Sequence, residues 1–231
     1  MPASLEPRCI MPMPTMPDPT IQRLIAEACE EDLLTYGDSF RGAGYTKSAA
    51  EAAERYALML GVIRERDEPL TLLDFGCGLA HLYDYLAEQA GSARLRYTGL
   101  DLSAKYLDVA RRRLPGVDFL EMDVLVSDAA LGQFDYVVMN GVFNYRGSVE
   151  YAAMVTYWQQ LMSVVFRHCR RGLAFNVMSR LVDWQRSDLF HLPFDTLVEF
   201  VGHSLSTHFV VRHDYGAREY TTYVYRRPTT C

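Results

Sequence analysis

The sequence lacks several features that would assign a function at once. It contains no run of about 18 apolar residues, so we expect neither a transmembrane helix nor a membrane partner. The cysteine count is odd, and no two cysteines have the Cys-x-x-Cys spacing of a metal site. We therefore expect reduced thiols, a cytoplasmic location and no bound metal ion. The five cysteines are Cys9, Cys29, Cys77, Cys169 and Cys231.

Positive charge is also scarce. The formal net charge is −6, and the densest basic run is Arg111 to Arg113. That run closes a predicted helix, where cations interact favourably with the helix dipole. A protein that grips phosphate backbones usually carries a basic stripe instead. We therefore predict that nucleic acid is not a partner.

The first residues lack the apolar stretch of a secretory signal. Prolines interrupt the segment "MPASLEPRCIMPMPTMP", so we predict a disordered tail over residues 1–17. Asp18 and Pro19 then form a favourable helix start, and Gly37 a helix end. A second helix is predicted within "KSAAEAAERYALMLGVIRER", with Thr46 as its cap. We expect these two helices, within residues 18–66, to cover a site as a lid.

Strand and helix patterns alternate after residue 67, which predicts a parallel sheet covered by helices on both faces. Two strand-like segments close the chain, and only "DYGAR" separates them. This connection is too short for a parallel crossover, so we predict an antiparallel hairpin. The expected fold is α/β: a Rossmann-like, doubly wound, seven-stranded sheet with a C-terminal hairpin. The predicted strands are "LTLLDF", "LRYTGLDL", "VDFLEMD", "FDYVVMN", "GLAFNVMS", "THFVVRH" and "EYTTYVYRR".

A glycine turn follows the first predicted strand, in "LLDFGCGLAH". Dinucleotide-binding folds favour Gly-x-Gly-x-x-Gly there, but His81 stands at the third glycine position. Gly76 and Gly78 still permit close approach of a ligand to the backbone. Asp74 would repel a pyrophosphate and attract an ammonium group. The turn therefore favours a cofactor other than a dinucleotide.

Two more acidic residues follow the second and third predicted strands. Asp101 lies 23 positions after Gly78, where a carboxylate accepts hydrogen bonds from ribose hydroxyls. Asp123 ends the next strand, where it can accept a hydrogen bond from an adenine amino group. Together with Asp74, these residues favour a nucleoside that carries an amino acid.

In these motifs the chain resembles the class I S-adenosylmethionine-dependent methyltransferases. The motifs are "LLDFGCGLAHLYDYL", "YTGLDLS", "FLEMDVL" and "FDYVVMNGVFNY", followed by the closing hairpin. The resemblance covers roughly Tyr45 to Arg227, departs from the family at Leu79 and His81, and implies a methyltransferase domain over residues 67–231. It also implies that S-adenosyl-L-methionine is the cofactor.

The resemblance further implies a set of cofactor-binding residues. Residues of the glycine turn would line the methionine part, and those after the second and third strands would hold ribose and adenine. Residues after the fourth strand would close the pocket near the methyl group, and a tyrosine from the lid would cover it. In chain order the set is Tyr45, Asp74, Gly76, Gly78, Asp101, Leu102, Asp123, Val124, Asn140 and Gly141.

Catalytic residues are harder to identify, because the sulfonium is already activated and a base is needed only for some acceptors. Asn144 and Tyr145 are candidates for binding a polar acceptor. His213 is a candidate base, since its ordinary pKa lies near neutrality, or else a residue of the hairpin turn. Asn176 is unusual in an apolar strand, either as a pocket residue or as a satisfied buried amide.

The function that these patterns favour is methyl transfer to a nitrogen or oxygen of a small molecule, by direct displacement. Alternatives are a protein or peptide methyltransferase and a non-catalytic S-adenosylmethionine-binding module, because a fold does not determine a function. An NAD-linked oxidoreductase is disfavoured by the missing third glycine. We expect a monomer or a homodimer.

Overall fold

A computed structural model describes residues 20–44, 48–65, 68–89 and 94–229. The predicted tail and the lid residue Tyr45 lie outside the described residues, as does the predicted cap Thr46. The helices are α1 (Thr20–Tyr36), α2 (Ala49–Leu60), α3 (His81–Ala87), α4 (Ala104–Arg113), α5 (Tyr151–Arg167) and α6 (Phe194–Phe200). The strands are β1 (Leu70–Phe75), β2 (Leu95–Asp101), β3 (Asp118–Glu121), β4 (Phe134–Met139), β5 (Cys169–Ser179), β6 (His191–Leu192), β7 (Phe209–Arg212) and β8 (Glu219–Tyr225).

The sheet has the predicted mixed topology. Its strands lie in the order β3-β2-β1-β4-β5-β8-β7, and β6 pairs separately with the last two residues of β5. Strands β1 to β5 pair in parallel, whereas β8 is antiparallel to both of its neighbours, β5 and β7. The α/β fold class and the antiparallel C-terminal hairpin are therefore confirmed, with the two-residue β6 as an addition.

Each face of the sheet packs against its own helices, because successive strand residues point to opposite sides. On the face that we call the α2 face, Leu72 and Val138 pack with Tyr56 of α2. On the α5 face, Leu73 and Val137 pack with Trp158 of α5. By the same alternation, Asp74, Asn176 and Thr221 belong to the α2 face. Polar residues at the carboxyl ends of neighbouring strands are therefore brought to one side.

Helix α1 is fastened to the start of α4. Glu30 accepts hydrogen bonds from Ser103 and Lys105, both at 2.6 Å. The Tyr106 hydroxyl lies 2.7 Å from the carbonyl oxygens of Cys29 and Gly42. Helix α1 thus lies beside the end of β2. Both N-terminal helices also contribute to the core, α1 through Ile21 on the α5 face and α2 through Tyr56 on the α2 face.

The segment between β5 and β7 differs most from the sequence expectation. Residues 191–205 form β6, α6 and a π-helical turn, Val201–Leu205. Leu192, Leu197 and Val201 are buried against the α5 face. The sequence analysis did not predict this segment, although Phe194, Leu197 and Val201 recur at helical spacing.

Candidate active site

The glycine turn after β1 adopts the backbone that its glycines predict. Gly76 and Gly78 have φ of 72° and 52°, a left-handed region that favours glycine. The amides of Gly76 and Cys77 both donate to the carbonyl of Leu100, at 2.7 and 2.9 Å. A Cβ atom on Gly76 would lie 2.7 Å from a methyl group of Val142. The turn thus places backbone without side chains at the edge of a pocket.

That pocket lies between the turn, β4 and the N-terminal segment. Its lining brings together four of the predicted cofactor residues, from β1, the glycine turn and the end of β4. Tyr56 of α2 and Ala43, which precedes it, contribute the opposite wall. The lining residues are Ala43, Tyr56, Asp74, Gly76, Cys77, Gly78, Leu79, His81, Leu82 and Asn140.

Asp74 is the most perturbed acid of this pocket. It is 3% exposed and accepts a hydrogen bond from the Tyr97 hydroxyl at 2.7 Å. Burial raises the pKa of its carboxyl to about 7, in spite of that hydrogen bond, and Asp101 nearby adds to the effect. No cationic side chain is paired with it among the residues that the structure describes. The site therefore presents a buried carboxylate without a counter-charge.

Asp101 is placed at the end of β2, as predicted. Its carboxylate accepts hydrogen bonds from the amides of Gly78 at 2.8 Å and Ser103 at 2.9 Å. Burial raises the pKa of this carboxyl, and the two amides act against that rise. Each oxygen retains a lone pair for a further donor. Asp101 therefore fixes the glycine turn and can also accept from a ligand.

Asp123 has a partner that the sequence patterns did not identify. Gln22 of α1 donates to one of its carboxylate oxygens at 2.8 Å, and the amide of Leu125 donates to the other at 3.0 Å. Gln22 is 7% exposed, and its side-chain oxygen is buried with no hydrogen-bond partner in the described part of the chain. Val124, the next residue, is buried, and Leu102, which follows β2, is half-buried. A buried acceptor thus lies beside the predicted adenine position.

The structure supports the interpretation of Asn176 as a satisfied buried amide. This fully buried amide accepts from the Gly141 backbone at 2.7 Å and lies 3.4 Å from the Asn140 side chain, to which it donates. Gly141 has φ of 78°, which favours glycine. Asn176 is thus satisfied, and it also positions the loop that enters the pocket at Asn140.

Asn144 is held by a carboxylate that the sequence analysis did not single out. Its side-chain nitrogen donates to Glu219 at 3.0 Å, and Arg55 of α2 donates to the other oxygen of Glu219 at 2.7 Å. Glu219 is 2% exposed. The side-chain oxygen of Asn144 is buried with no partner among the described residues. Tyr145 follows and forms a backbone bridge with Leu189.

His213 is not brought to this pocket. Its ring contacts Phe194 at 5.6 Å and Tyr220 at 6.2 Å between centroids. Tyr220 belongs to the α5 face, whereas Asp74 and Glu219 belong to the α2 face. The exposed imidazole therefore packs where the turn interpretation expects it, and the base role gains no support from its position.

His81, which replaces the third glycine, starts α3 and lines the pocket. Its Nε2 lies 3.3 Å from Asp38, and its ring packs on Phe40. Burial and nearby Arg113 lower its pKa, which favours the neutral imidazole. If Nε2 carries the proton for Asp38, Nδ1 is an acceptor, and it is buried without a partner in the described residues.

Three further findings concern metal sites, cysteines and membrane-spanning helices. Within the described ranges, no group of three or more His, Cys, Asp or Glu residues is arranged to hold a metal ion. Cys29, Cys77 and Cys169 are free thiols. None of the described helices has the length and apolar character needed to cross a bilayer.

Known proteins share this arrangement. Residues 73–175 match a family model described as a methyltransferase domain, a range that runs from the second half of β1 through the glycine turn into β5. A protein of Mycobacterium tuberculosis named as a methyltransferase is 28% identical over 159 residues, which are 68% of this chain and 93% of its own. Residues 73–175 of this chain form a methyltransferase domain, and the fold around it is that of the class I S-adenosylmethionine-dependent methyltransferases. Its cofactor is S-adenosylmethionine.

Other relatives of the methyltransferase are more partial or more distant. A trans-aconitate 2-methyltransferase of Rhodopseudomonas palustris is 37% identical over 79 residues, which are 34% of this chain and only 30% of that enzyme. Magnesium protoporphyrin IX methyltransferase of Synechocystis, solved with S-adenosylhomocysteine, superimposes with a TM-score of 0.62 at 15% identity. That superposition covers 91% of this chain and 100% of the other. At this identity the likeness is one of fold.

The described residues of the methyltransferase fit that cofactor. The glycine turn gives a ligand access to bare backbone, and a Cβ on Gly76 would clash with Val142. The pocket holds an uncompensated carboxylate at Asp74, which suits an ammonium group. Two buried acceptors, on Gln22 and His81, have no partner in the described part of the chain. Each of these features is costly in an empty protein and is relieved by a ligand that donates hydrogen bonds.

Proposed function

We propose that this methyltransferase moves a methyl group to a nitrogen or oxygen of a small-molecule acceptor, by direct displacement. The observation that carries the proposal is that Tyr56 of α2 and Ala43, both from the N-terminal part of the chain, line the pocket together with the glycine turn. A polymeric acceptor would need an open groove, and the net charge of −6 gives no electrostatic help with nucleic acid. The free thiols support a cytoplasmic location.

The proposal also assigns a binding residue to each part of the cofactor. Asp74 receives the ammonium group, and Asp101 receives the ribose hydroxyls. Asp123, beside Val124 and Leu102, receives the adenine amino group. When bound, the cofactor supplies an activated methyl group on sulfur. The protein contributes alignment and exclusion of water.

Asn144 is the proposed acceptor-binding residue. Its unpartnered oxygen is a buried acceptor for an N–H or O–H group of the substrate. Glu219 and Arg55 hold the amide in place, so they are positioning residues. Asn140 lines the pocket, and Gly141 follows it in the same loop. Tyr145 shapes this loop through its bridge to Leu189.

Transfer of labelled methyl groups tests the proposed function. The full chain is incubated with methyl-labelled S-adenosylmethionine and either a metabolite fraction below 1 kDa or a protein fraction. We expect label in the small-molecule fraction, and Asn144→Ala should reduce it while sparing S-adenosylhomocysteine affinity. Label in protein alone would support the peptide alternative. Cofactor binding with no labelled product in either fraction would favour a non-catalytic module.

Gln22 gives a separate prediction about the adenine end. We expect Gln22→Ala to weaken S-adenosylhomocysteine binding about three- to tenfold, because the change removes one neutral hydrogen-bond partner and leaves Asp123 less well oriented. Titration calorimetry measures the affinity. S-inosylhomocysteine, which lacks the amino group, should bind both proteins equally.

The matched control for Gln22 is Gln133, an exposed glutamine whose amide bonds to the Arg167 carbonyl at the opposite, amino-terminal edge of the sheet. Gln133→Ala should leave the affinity unchanged. Tighter binding by Gln22→Ala would contradict the proposal and would mean that Gln22 blocks the adenine position.

A further inference from the structure

A second cavity, of about 410 Å³, opens at the carboxyl edge of the sheet and is rich in arginine. Arg146 follows β4, and Arg180 and Arg186 follow β5. Tyr151 and Gln185 also line it. Tyr151 lies close enough to Arg180 and Arg146 for both cations to act on the pKa of its phenol. Three guanidinium groups therefore converge on one concave surface.

The cavity carries excess positive charge. Asp188 binds Arg186 through two hydrogen bonds, that from Nε measuring 2.9 Å. Arg146 donates from one terminal nitrogen to the carbonyl of Val149. Arg180 has no carboxylate within salt-bridge distance among the described residues. One carboxylate thus opposes three guanidinium groups, which leaves a surplus of about two positive charges.

The walls of this cavity are ordered by hydrogen bonds. His191, 5% exposed, places one ring nitrogen 2.7 Å from the carbonyl of Ser179, and its other nitrogen accepts from the Arg186 amide at 3.3 Å. The Asp188 carbonyl accepts from the amides of Arg146 and Gly147 at 2.9 and 3.0 Å. Hydrogen bonds therefore hold the two loops together, so the backbone that carries the arginines needs little rearrangement to bind a ligand.

The cavity also lies on the loops that form the acceptor side of the proposed active site. The Phe190 amide donates to the carbonyl of Asn144 at 2.9 Å, which joins the loop after β5 to the proposed acceptor residue. Arg146 is six positions after Asn140, a span of at most about 20 Å. In open α/β sheets, ligands bind beyond the carboxyl ends of the strands.

We propose that Arg146, Arg180 and Arg186 bind an anionic group of the methyl acceptor, and that the acceptor carries two negative charges on oxygen, as a dicarboxylate or a phosphate monoester. This inference rests on the proposed small-molecule function. Guanidinium groups present paired N–H donors that match carboxylate and phosphate oxygens. A surplus of two positive charges is balanced by such a dianion.

The test uses the full chain saturated with S-adenosylhomocysteine, with citrate, inorganic phosphate and acetate titrated at constant ionic strength. We expect citrate or phosphate to bind more tightly than acetate. Arg180→Ala should weaken that binding about tenfold or more, as loss of a charge-assisted hydrogen bond does. Arg180→Lys should give a smaller loss, because it keeps the charge without the paired donors.

Arg112→Ala is the matched control, since Arg112 is an exposed arginine of α4. It should leave anion binding unchanged. Binding of citrate alone indicates a carboxylate acceptor, and binding of phosphate alone a phosphate ester. Equal affinity for all three anions, or no effect of Arg180→Ala, overturns the inference. Because S-adenosylhomocysteine affinity is measured in the same samples, failure at the arginine cavity is distinguishable from failure of the cofactor site.

Discussion

Replacing Asp74 with asparagine should stabilise the ligand-free methyltransferase at pH 8 and weaken its cofactor binding. The carboxyl has a pKa of about 7 in the folded chain, against an ordinary value of 3.8. Between these pH values the folded chain retains a proton that the unfolded chain releases, so stability falls as the pH rises through this window. Above pH 7 the full cost is on the order of 4 kcal/mol, at about 1.4 kcal/mol per unit.

Asparagine removes the charge and can still accept from Tyr97. We therefore expect Asp74→Asn to raise the free energy of unfolding by about 2–4 kcal/mol at pH 8, which corresponds to roughly 5–15 °C in Tm for a chain of this size. The gain should shrink as the pH falls below 7 and nearly disappear near pH 4. Thermal unfolding followed by circular dichroism from pH 4 to pH 8 measures it.

Asp74→Asn should weaken cofactor binding although it stabilises the fold. If Asp74 binds the ammonium group, its ionised form is the binding form, so the affinity of the unmodified chain for S-adenosylhomocysteine should rise between pH 6 and pH 7.5. Asp74→Asn should abolish this rise and cost about tenfold or more in affinity at pH 7.5. Calorimetric titration over that range provides the measurement.

The exposed Asp118→Asn, at the start of β3, serves as the control and should change neither property. A purely structural Asp74 would give a variant that is no more stable at pH 8 and binds the ligand as before. A variant that is more stable but binds the cofactor less tightly indicates that Asp74 serves ligand binding rather than folding.

The sheet could be predicted because its determinants are local. The apolar strand segments and the short "DYGAR" connection specify a largely parallel sheet with an antiparallel hairpin without knowledge of tertiary contacts. The glycine turn was predictable for the same reason, since Gly76 and Gly78 respond to a local backbone requirement. The cap of α2 is local as well, but the prediction of Thr46 was wrong, because Ser48 accepts from the Glu51 amide.

The partners of the site residues could not be predicted, because they are distant in sequence. Gln22 meets Asp123 across 101 positions, and Arg55 meets Glu219 across 164. No local pattern distinguishes Gln22 from any other polar residue of an amphipathic helix. His213 shows the converse case, since its neighbours in "RHDY" suggested a base. Its packing against Phe194 depends on α6, a helix that the sequence analysis did not predict.

Loss of the Asp101 carboxylate should weaken cofactor binding by about 1.5–3 kcal/mol, the range for hydrogen bonds to a charged group. Asp101 has two functions that a single substitution removes together. It accepts from the Gly78 and Ser103 amides, which shapes the turn, and it is proposed to accept from the ribose hydroxyls. Weaker binding by Asp101→Ala would by itself not separate a distorted turn from a lost ligand contact.

A double-mutant cycle with a modified ligand distinguishes a distorted turn from a lost ligand contact. The affinities of the unmodified chain and of Asp101→Ala are measured for S-adenosylhomocysteine and for its 2′-deoxy analogue. If the carboxylate binds the hydroxyl, the unmodified chain should discriminate against the analogue by about tenfold, and Asp101→Ala should bind both ligands alike. If the carboxylate only shapes the turn, the variant should lose affinity for both ligands equally and retain the discrimination. The second result would remove Asp101 from the ribose site while leaving its role in the glycine turn intact.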